Sequence, residues 1–196
     1  MIKIQSLFRR KRPFNLSEQQ ASSWLRRAED ATRLVGLIPE LEQPFRVVEL
    51  GAGDKKLARV LTSKYKIQYS GYDKLPQSDD VQIWDAAAGL PPDLGDVCFA
   101  LGLLEYLEAL GRVFKEAAST GRYFIFSYVT SNSGLYNADR IERLGWKTHH
   151  STSEIENMAE SAGLNIIRRL DNTDDNYSLW LTASILRRAA TRQTNV

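Results

Sequence analysis

A doubly wound α/β fold is what this sequence predicts: a mostly parallel seven-stranded sheet, an antiparallel hairpin strand near its end, and one extra helix in front. Three observations carry that prediction. Residues 47–57 read Val-Val-Glu-Leu-Gly-Ala-Gly-Asp-Lys-Lys-Leu, an apolar strand ending in an acid, then two glycines, then the start of a helical pattern. Strand-like and helix-like segments alternate behind it, as a parallel sheet requires. The last two strands, at 165–170 and 177–186, are parted by a polar turn at 171–176 and read as a hairpin.

The elements follow in order. Ser17-Glu-Gln-Gln20 is a capping-box pattern, and Ala21, Trp24, Leu25, Ala28, Ala31, Leu34, Val35 and Ile38 recur behind it at helical spacing. The spacing predicts a helix over 17–37 whose Trp24 and Leu25 face packs on the sheet as core; a lid over the site is the alternative. Pro39 and Pro44 close it. A strand over 45–50, a helix over 54–64 and strands over 67–72, 81–84 and 97–101 come next. A helix over 103–118, a strand over 123–129 and a long connection over 130–150 lead to Ser151-Thr-Ser-Glu154, which caps a helix that stops at Gly163. Only residues 74–80 separate the second and third strands. A parallel crossover normally takes a dozen residues or more, so an extended loop is expected there in place of a helix.

With 196 residues and 22.2 kDa, one domain is expected. The chain divides into a basic, flexible N-terminus (1–16), a helix and linker (17–44), the main domain (45–186) and a polar tail (187–196). No run has the length to span a bilayer, and the first residues are too quickly followed by charge for a signal peptide. Cys98 is the single cysteine, which excludes an internal disulfide and a cysteine-rich zinc site, and a cytoplasmic location is expected. Two adjacent histidines and scattered carboxylates form no metal constellation by spacing. Residues 1–33 hold eight basic side chains against three acidic ones, although the whole chain is only +2. The run Phe8-Arg-Arg-Lys-Arg-Pro-Phe14 fits contact with RNA or an anionic membrane surface; a solvated terminus is the plainer reading. The oligomeric state is left open.

Gly51 and Gly53 give the loop freedom to reach φ > 0 and let a ligand approach backbone without meeting a Cβ. The N–H groups at the following helix start favour polar or anionic ligand groups, so a nucleotide-like ligand is expected. The dinucleotide fingerprint Gly-x-Gly-x-x-Gly fails, because Lys56 stands at its third glycine.

Four features together resemble another family, the class I S-adenosylmethionine-dependent methyltransferases of small bacterial type. The loop Glu49-Leu-Gly-Ala-Gly53 is similar to their first motif. Asp73, at the end of the second strand, takes the place of the carboxylate that binds the ribose hydroxyls. Asp85, in Trp84-Asp85-Ala86, stands where these enzymes contact adenine. Asp96-Val-Cys-Phe-Ala-Leu-Gly-Leu-Leu-Glu-Tyr-Leu107 looks like their fourth strand and following turn. The resemblance spans 45–186 and implies a Rossmann-like fold, S-adenosyl-L-methionine as cofactor, and cofactor contacts from Glu49, Gly51, Ala52, Gly53, Asp73, Lys74, Asp85, Ala86 and Leu101. Two residues depart from the pattern. Lys55 occupies the family's usual third glycine, and Tyr106 stands where many relatives have histidine.

The expected activity is O-methylation of a small-molecule or glycan-like acceptor. His149 and His150 are the candidate bases, since an alcohol acceptor must lose a proton. A surface or helix-capping pair is the structural alternative for them. Tyr106, Tyr128, Tyr136 and Trp146 are candidates to line the acceptor pocket, or else to pack as core or lid. An RNA methyltransferase is the rival reading, favoured by the basic N-terminus but without an Asn-Pro-Pro-Tyr-type motif. A degenerate binding module that keeps the fold is the third, with Lys55 its best argument.

Overall fold

The computed structural model of the protein describes residues 18–38, 41–133 and 138–186. Helix α1 (Glu18–Val35) precedes β1 (Phe45–Leu50), α2 (Lys56–Thr62), β2 (Ile67–Asp73), β3 (Val81–Ile83) and β4 (Val97–Ala100). A 3₁₀ turn (Leu104–Tyr106) then leads to α3 (Leu110–Thr120), β5 (Tyr123–Tyr128), α4 (Ala138–Leu144), α5 (Thr152–Ser161), β6 (Leu164–Asn172) and β7 (Tyr177–Ser184). The seven strands form one sheet in the order β3-β2-β1-β4-β5-β7-β6. β7 runs antiparallel to both β5 and β6, and the other neighbours are parallel. The mostly parallel seven-stranded sheet is therefore the one expected, with helices on both of its faces. The basic residues 8–14, Ser17, Tyr136 and the tail 187–196 lie outside the described residues.

Alternation along the strands builds two cores, because successive side chains point to opposite faces. Val47, Val97, Phe99, Ile125, Leu179 and Leu181 face one side, where Ala28, Ala31 and Leu34 of α1 and Leu57 and Leu61 of α2 cover them. Val48, Cys98, Ala100, Phe124, Phe126 and Trp180 face the other, under Leu110, Val113 and Phe114 of α3 and Ile155 and Ala159 of α5. Trp180 is fully buried and stacks on Phe126 with ring centroids 5.2 Å apart. Each such large side chain contributes about 1.5–3 kcal/mol through burial.

Two elements differ from expectation. The helix expected over 103–118 is two pieces, with Leu107 extended between them (φ −105, ψ 130). The Glu105 carbonyl explains the break. It accepts N–H groups from Lys147 (2.7 Å) and Thr148 (3.2 Å), so it is drawn off toward the chain that follows α4 rather than into an i→i+4 ladder. The connection expected over 130–150 contains α4, whose apolar period (Ala138, Ile141, Leu144) spans only seven residues. Elsewhere the signals correspond to the structure. Residues 74–80 are a loop without a helix, and Ser151 and Glu154 form the reciprocal capping box at the start of α5.

α1 is tied to the β6–β7 hairpin by polar contacts. Asp30 accepts from Tyr177 Oη (2.8 Å), Asn172 Nδ2 (3.0 Å) and Arg33 Nη1 (2.7 Å), and Arg26 pairs with Asp175 in the hairpin turn (2.8 Å). Its buried face is Ala28, Ala31, Leu34 and Val35, while Leu25 is exposed. The expected Trp24–Leu25 core face is thus rotated away from the sheet.

Candidate functional site

The sheet order reverses between β1 and β4, and in open α/β sheets ligands bind beyond the strand ends at such a switch point. A cavity of about 300 Å³ opens there. Gly51, at φ 74, begins its floor. The Gly51 and Ala52 N–H groups both donate to the Tyr72 carbonyl (2.8 and 3.1 Å), which ties the glycine loop to the end of β2. Asp73 follows. Its carboxylate accepts Gly53 N–H on Oδ2 and Leu75 N–H on Oδ1, each at 2.8 Å, so both oxygens are fixed in place. Asp85 closes the next wall, accepting from Ala87 N–H (3.0 Å) and Lys74 Nζ (2.7 Å). These hydrogen bonds and the lysine hold the Asp85 carboxyl below the usual carboxylate range.

The sequence-derived candidates divide between this cavity and its surroundings. Gly51, Asp73, Lys74, Asp85, Ala86, Leu101 and Tyr106 line it. Ala52 and Gly53 are not lining residues; their N–H groups go to the Tyr72 carbonyl and the Asp73 carboxylate. Glu49 is turned away: its buried carboxyl accepts from Tyr69 Oη at 2.5 Å, and burial pushes its pKa up to about 8. Lys55 also stays out of the cavity. It adopts a left-handed conformation (φ 63, ψ 37) just before α2, pairs with Asp80 of the β2–β3 loop, and lies 5.6 Å from the Tyr69 ring centroid.

The other end of the cavity is built by α1 and the 3₁₀ turn. Trp24, Gly102, Leu103, Tyr106 and Leu107 line it. Tyr106 hydrogen-bonds to Trp146, which stands behind it, partly buried against the core. Tyr128 is fully buried and outside the cavity; its hydroxyl donates to Thr148 Oγ1 (3.1 Å) and accepts the His150 N–H (3.2 Å). His149 and His150 are half-buried on the chain leading into α5, and neither lines the cavity. Trp24, Tyr72, Gly102, Leu103 and Leu107 are among the lining residues that sequence reasoning did not assign to the site. The signal for Gly102 was a glycine directly after a buried strand, inside the motif already quoted.

A more open depression of about 480 Å³ lies between α1 and α2, among Glu29, Arg33, Arg59 and Lys64. Among the described residues no group of three potential metal ligands occurs, and no helix is long and apolar enough to cross a membrane.

No protein-family model and no curated protein matches the sequence. Solved structures do resemble the fold. A methyltransferase in complex with the Trm112 methyltransferase activator of Haloferax volcanii superposes with a TM-score of 0.64 at 17% identity, covering 85% of this chain and 96% of that one. Magnesium protoporphyrin IX methyltransferase from Synechocystis PCC 6803, with bound S-adenosylhomocysteine, gives 0.64 at 15% identity over 87% and 89%. This chain has the class I methyltransferase fold. The cyclase SpnF shares it as well, with a TM-score of 0.63 at 14% identity over 87% and 83%, so the methyltransferase fold does not by itself fix the chemistry.

Proposed function

We propose that the chain is an S-adenosylmethionine-dependent methyltransferase acting on oxygen of a small-molecule or glycan-like acceptor. The observation that carries this reading is the Asp73 carboxylate, pinned by two backbone N–H groups inside the switch-point cavity, with Asp85 one strand away. Each pinned oxygen keeps further acceptor capacity, which suits the two hydroxyls of a ribose. The residues present fit the cofactor. Asp73 would hold the ribose, Asp85 and Ala86 would flank the adenine beside Lys74, and Leu101 with the Gly51–Gly53 backbone would take the amino-acid portion. A Cβ on Gly51 would make only an ordinary contact with Leu103, at 3.5 Å, so it is the φ of 74 that favours glycine there.

Bound there, S-adenosylmethionine supplies a methyl group already activated by a sulfonium leaving group. The chain's own part is alignment and exclusion of water. Trp24, Leu103, Tyr106 and Leu107 provide the apolar wall for that. No histidine lies among the lining residues, so the acceptor we assign is an oxygen that is already ionised or readily becomes so, as in a phenol, a carboxylate or an acidic sugar, which needs no strong base. The base role expected of His149 or His150 has no support from their placement. RNA as acceptor rests on residues 8–14, outside the described part. A cytoplasmic location accompanies the small-molecule reading.

The test is transfer of isotopically labelled methyl from S-adenosylmethionine to a panel of phenols, carboxylic acids and sugars, using the wild type and the double variant His149→Ala/His150→Ala. Label in a small acceptor, retained within tenfold in the double variant, supports the reading. Loss of transfer in the double variant restores the histidines as bases, and label appearing only in added RNA overturns the choice of acceptor.

A further inference from the structure

Arg27 is buried (8% exposed) on α1, one turn from Trp24. Its guanidinium carbon lies 4.7 Å from the Trp24 ring centroid and 4.5 Å from that of Tyr177. Ring contacts of this kind favour the cation, yet leave the in-plane N–H donors without conventional acceptors. Nε has no hydrogen-bond partner, and no ion pair joins Arg27 to an acid among the described residues.

The acids around it are committed elsewhere. Asp175 pairs with Arg26, and Asp30 with Arg33. Glu105 (2% exposed) bears on Arg27 through space but spends Oε1 on the Val129 N–H, and its Oε2 is a second buried atom without a partner. Burial lowers the Arg27 pKa and raises that of Glu105, and the attraction between the two offsets burial only in part.

The guanidinium also abuts the cavity wall. A Cβ on Gly102, a lining residue, would come within 2.4 Å of Arg27 Nη1. Buried polar groups are as a rule hydrogen-bonded, and an arginine fork matches a carboxylate in two-point geometry. We infer that Arg27 is the carboxylate anchor of the cavity, receiving the acidic group of a molecule bound along Trp24 and Gly102. The inference rests on the methyltransferase reading for the identity of that molecule. The carboxylate belongs either to the amino-acid end of the cofactor or to the acceptor.

Calorimetry separates these sources. S-Adenosylhomocysteine and methylthioadenosine, which lacks the amino-acid end, are titrated into the wild type, Arg27→Met and Arg27→Lys. Benzoate and its neutral counterpart benzamide are titrated with and without S-adenosylhomocysteine. A tenfold or greater loss for S-adenosylhomocysteine in Arg27→Met, a smaller loss in Arg27→Lys, and methylthioadenosine unchanged within twofold place the cofactor's carboxylate on Arg27. Unchanged binding of both nucleosides, with benzoate but not benzamide bound by the wild type and lost in Arg27→Met, places the acceptor's carboxylate there. A wild type that binds neither nucleoside but still binds benzoate through Arg27 defeats the methyltransferase reading and leaves the anchor standing. Equal affinity of all three proteins for every probe, or no benzoate binding together with equal loss of both nucleosides in the variants, overturns it.

Discussion

Gly102 lies so close beneath the Trp24 indole that a Cβ on the glycine would come within 2.3 Å of ring carbon Cη2. The missing side chain is what lets α1 settle across the end of β4 and close one end of the cavity. Gly102 also has φ 62, a left-handed conformation that other residues adopt only with strain. Gly102→Ala is expected to cost about 2 kcal/mol of stability from strain and overpacking, and to weaken S-adenosylhomocysteine binding. Adding Trp24→Ala should return part of the lost stability, because the clash is shared between the two positions. Urea unfolding of the four proteins measures this, and strict additivity of the two substitutions would show that the contact is not the cause.

The Glu49 carboxyl predicts a pH dependence. Its pKa is raised from 4.5 to about 8 by burial, so between those values the folded protein holds a proton that the unfolded chain has released. Stability due to this group therefore falls as pH rises from about 5 to 8, by at most about 1.4 kcal/mol per pH unit. Glu49→Gln can still accept from Tyr69 and has no proton to lose. Its stability relative to wild type should increase by roughly 3 kcal/mol between pH 5 and pH 8. Parallel pH curves for the two proteins would mean that Glu49 is ionised in the fold.

Lys55 occupies a left-handed position that costs a non-glycine residue about 1–2 kcal/mol, and it gains an ion pair with Asp80 and the Tyr69 ring in return. Lys55→Gly relieves the backbone and loses the side-chain contacts. The expected result is a stability within about 1 kcal/mol of wild type and S-adenosylhomocysteine affinity within threefold. A tenfold fall in affinity would show that the Lys55–Asp80 link shapes the glycine loop for its ligand.

Most of the sheet was legible in the sequence because its signals are local. Short apolar runs gave the strands, and Ser151 with Glu154 gave the start of α5. Gly51, Asp73 and Asp85 were legible because a strand end followed by a glycine or an acid fixes where a side chain can stand. The break after Tyr106 was not, since it depends on Lys147 and Thr148 reaching the Glu105 carbonyl across some forty residues of chain. Glu49 and Tyr128 misled for a related reason. Each looked like a site residue by position along a strand, but its partner, Tyr69 or Thr148, comes from another element and holds it in the interior. The role of α1 was left between core packing and a lid. Its apolar period is real, but the anchors on Asp30 and Arg26 set its rotation, which brings Trp24 over the cavity.

The most direct test of the methyltransferase reading is calorimetric titration of S-adenosylhomocysteine into the wild type and Asp73→Ala. Losing two charge-assisted hydrogen bonds costs about 2 kcal/mol or more, so the expected result is saturable one-to-one binding by the wild type and at least a roughly thirtyfold weaker affinity in the variant. Absence of binding to the wild type, or equal affinity in the two proteins, would contradict the assignment of this cavity to the cofactor.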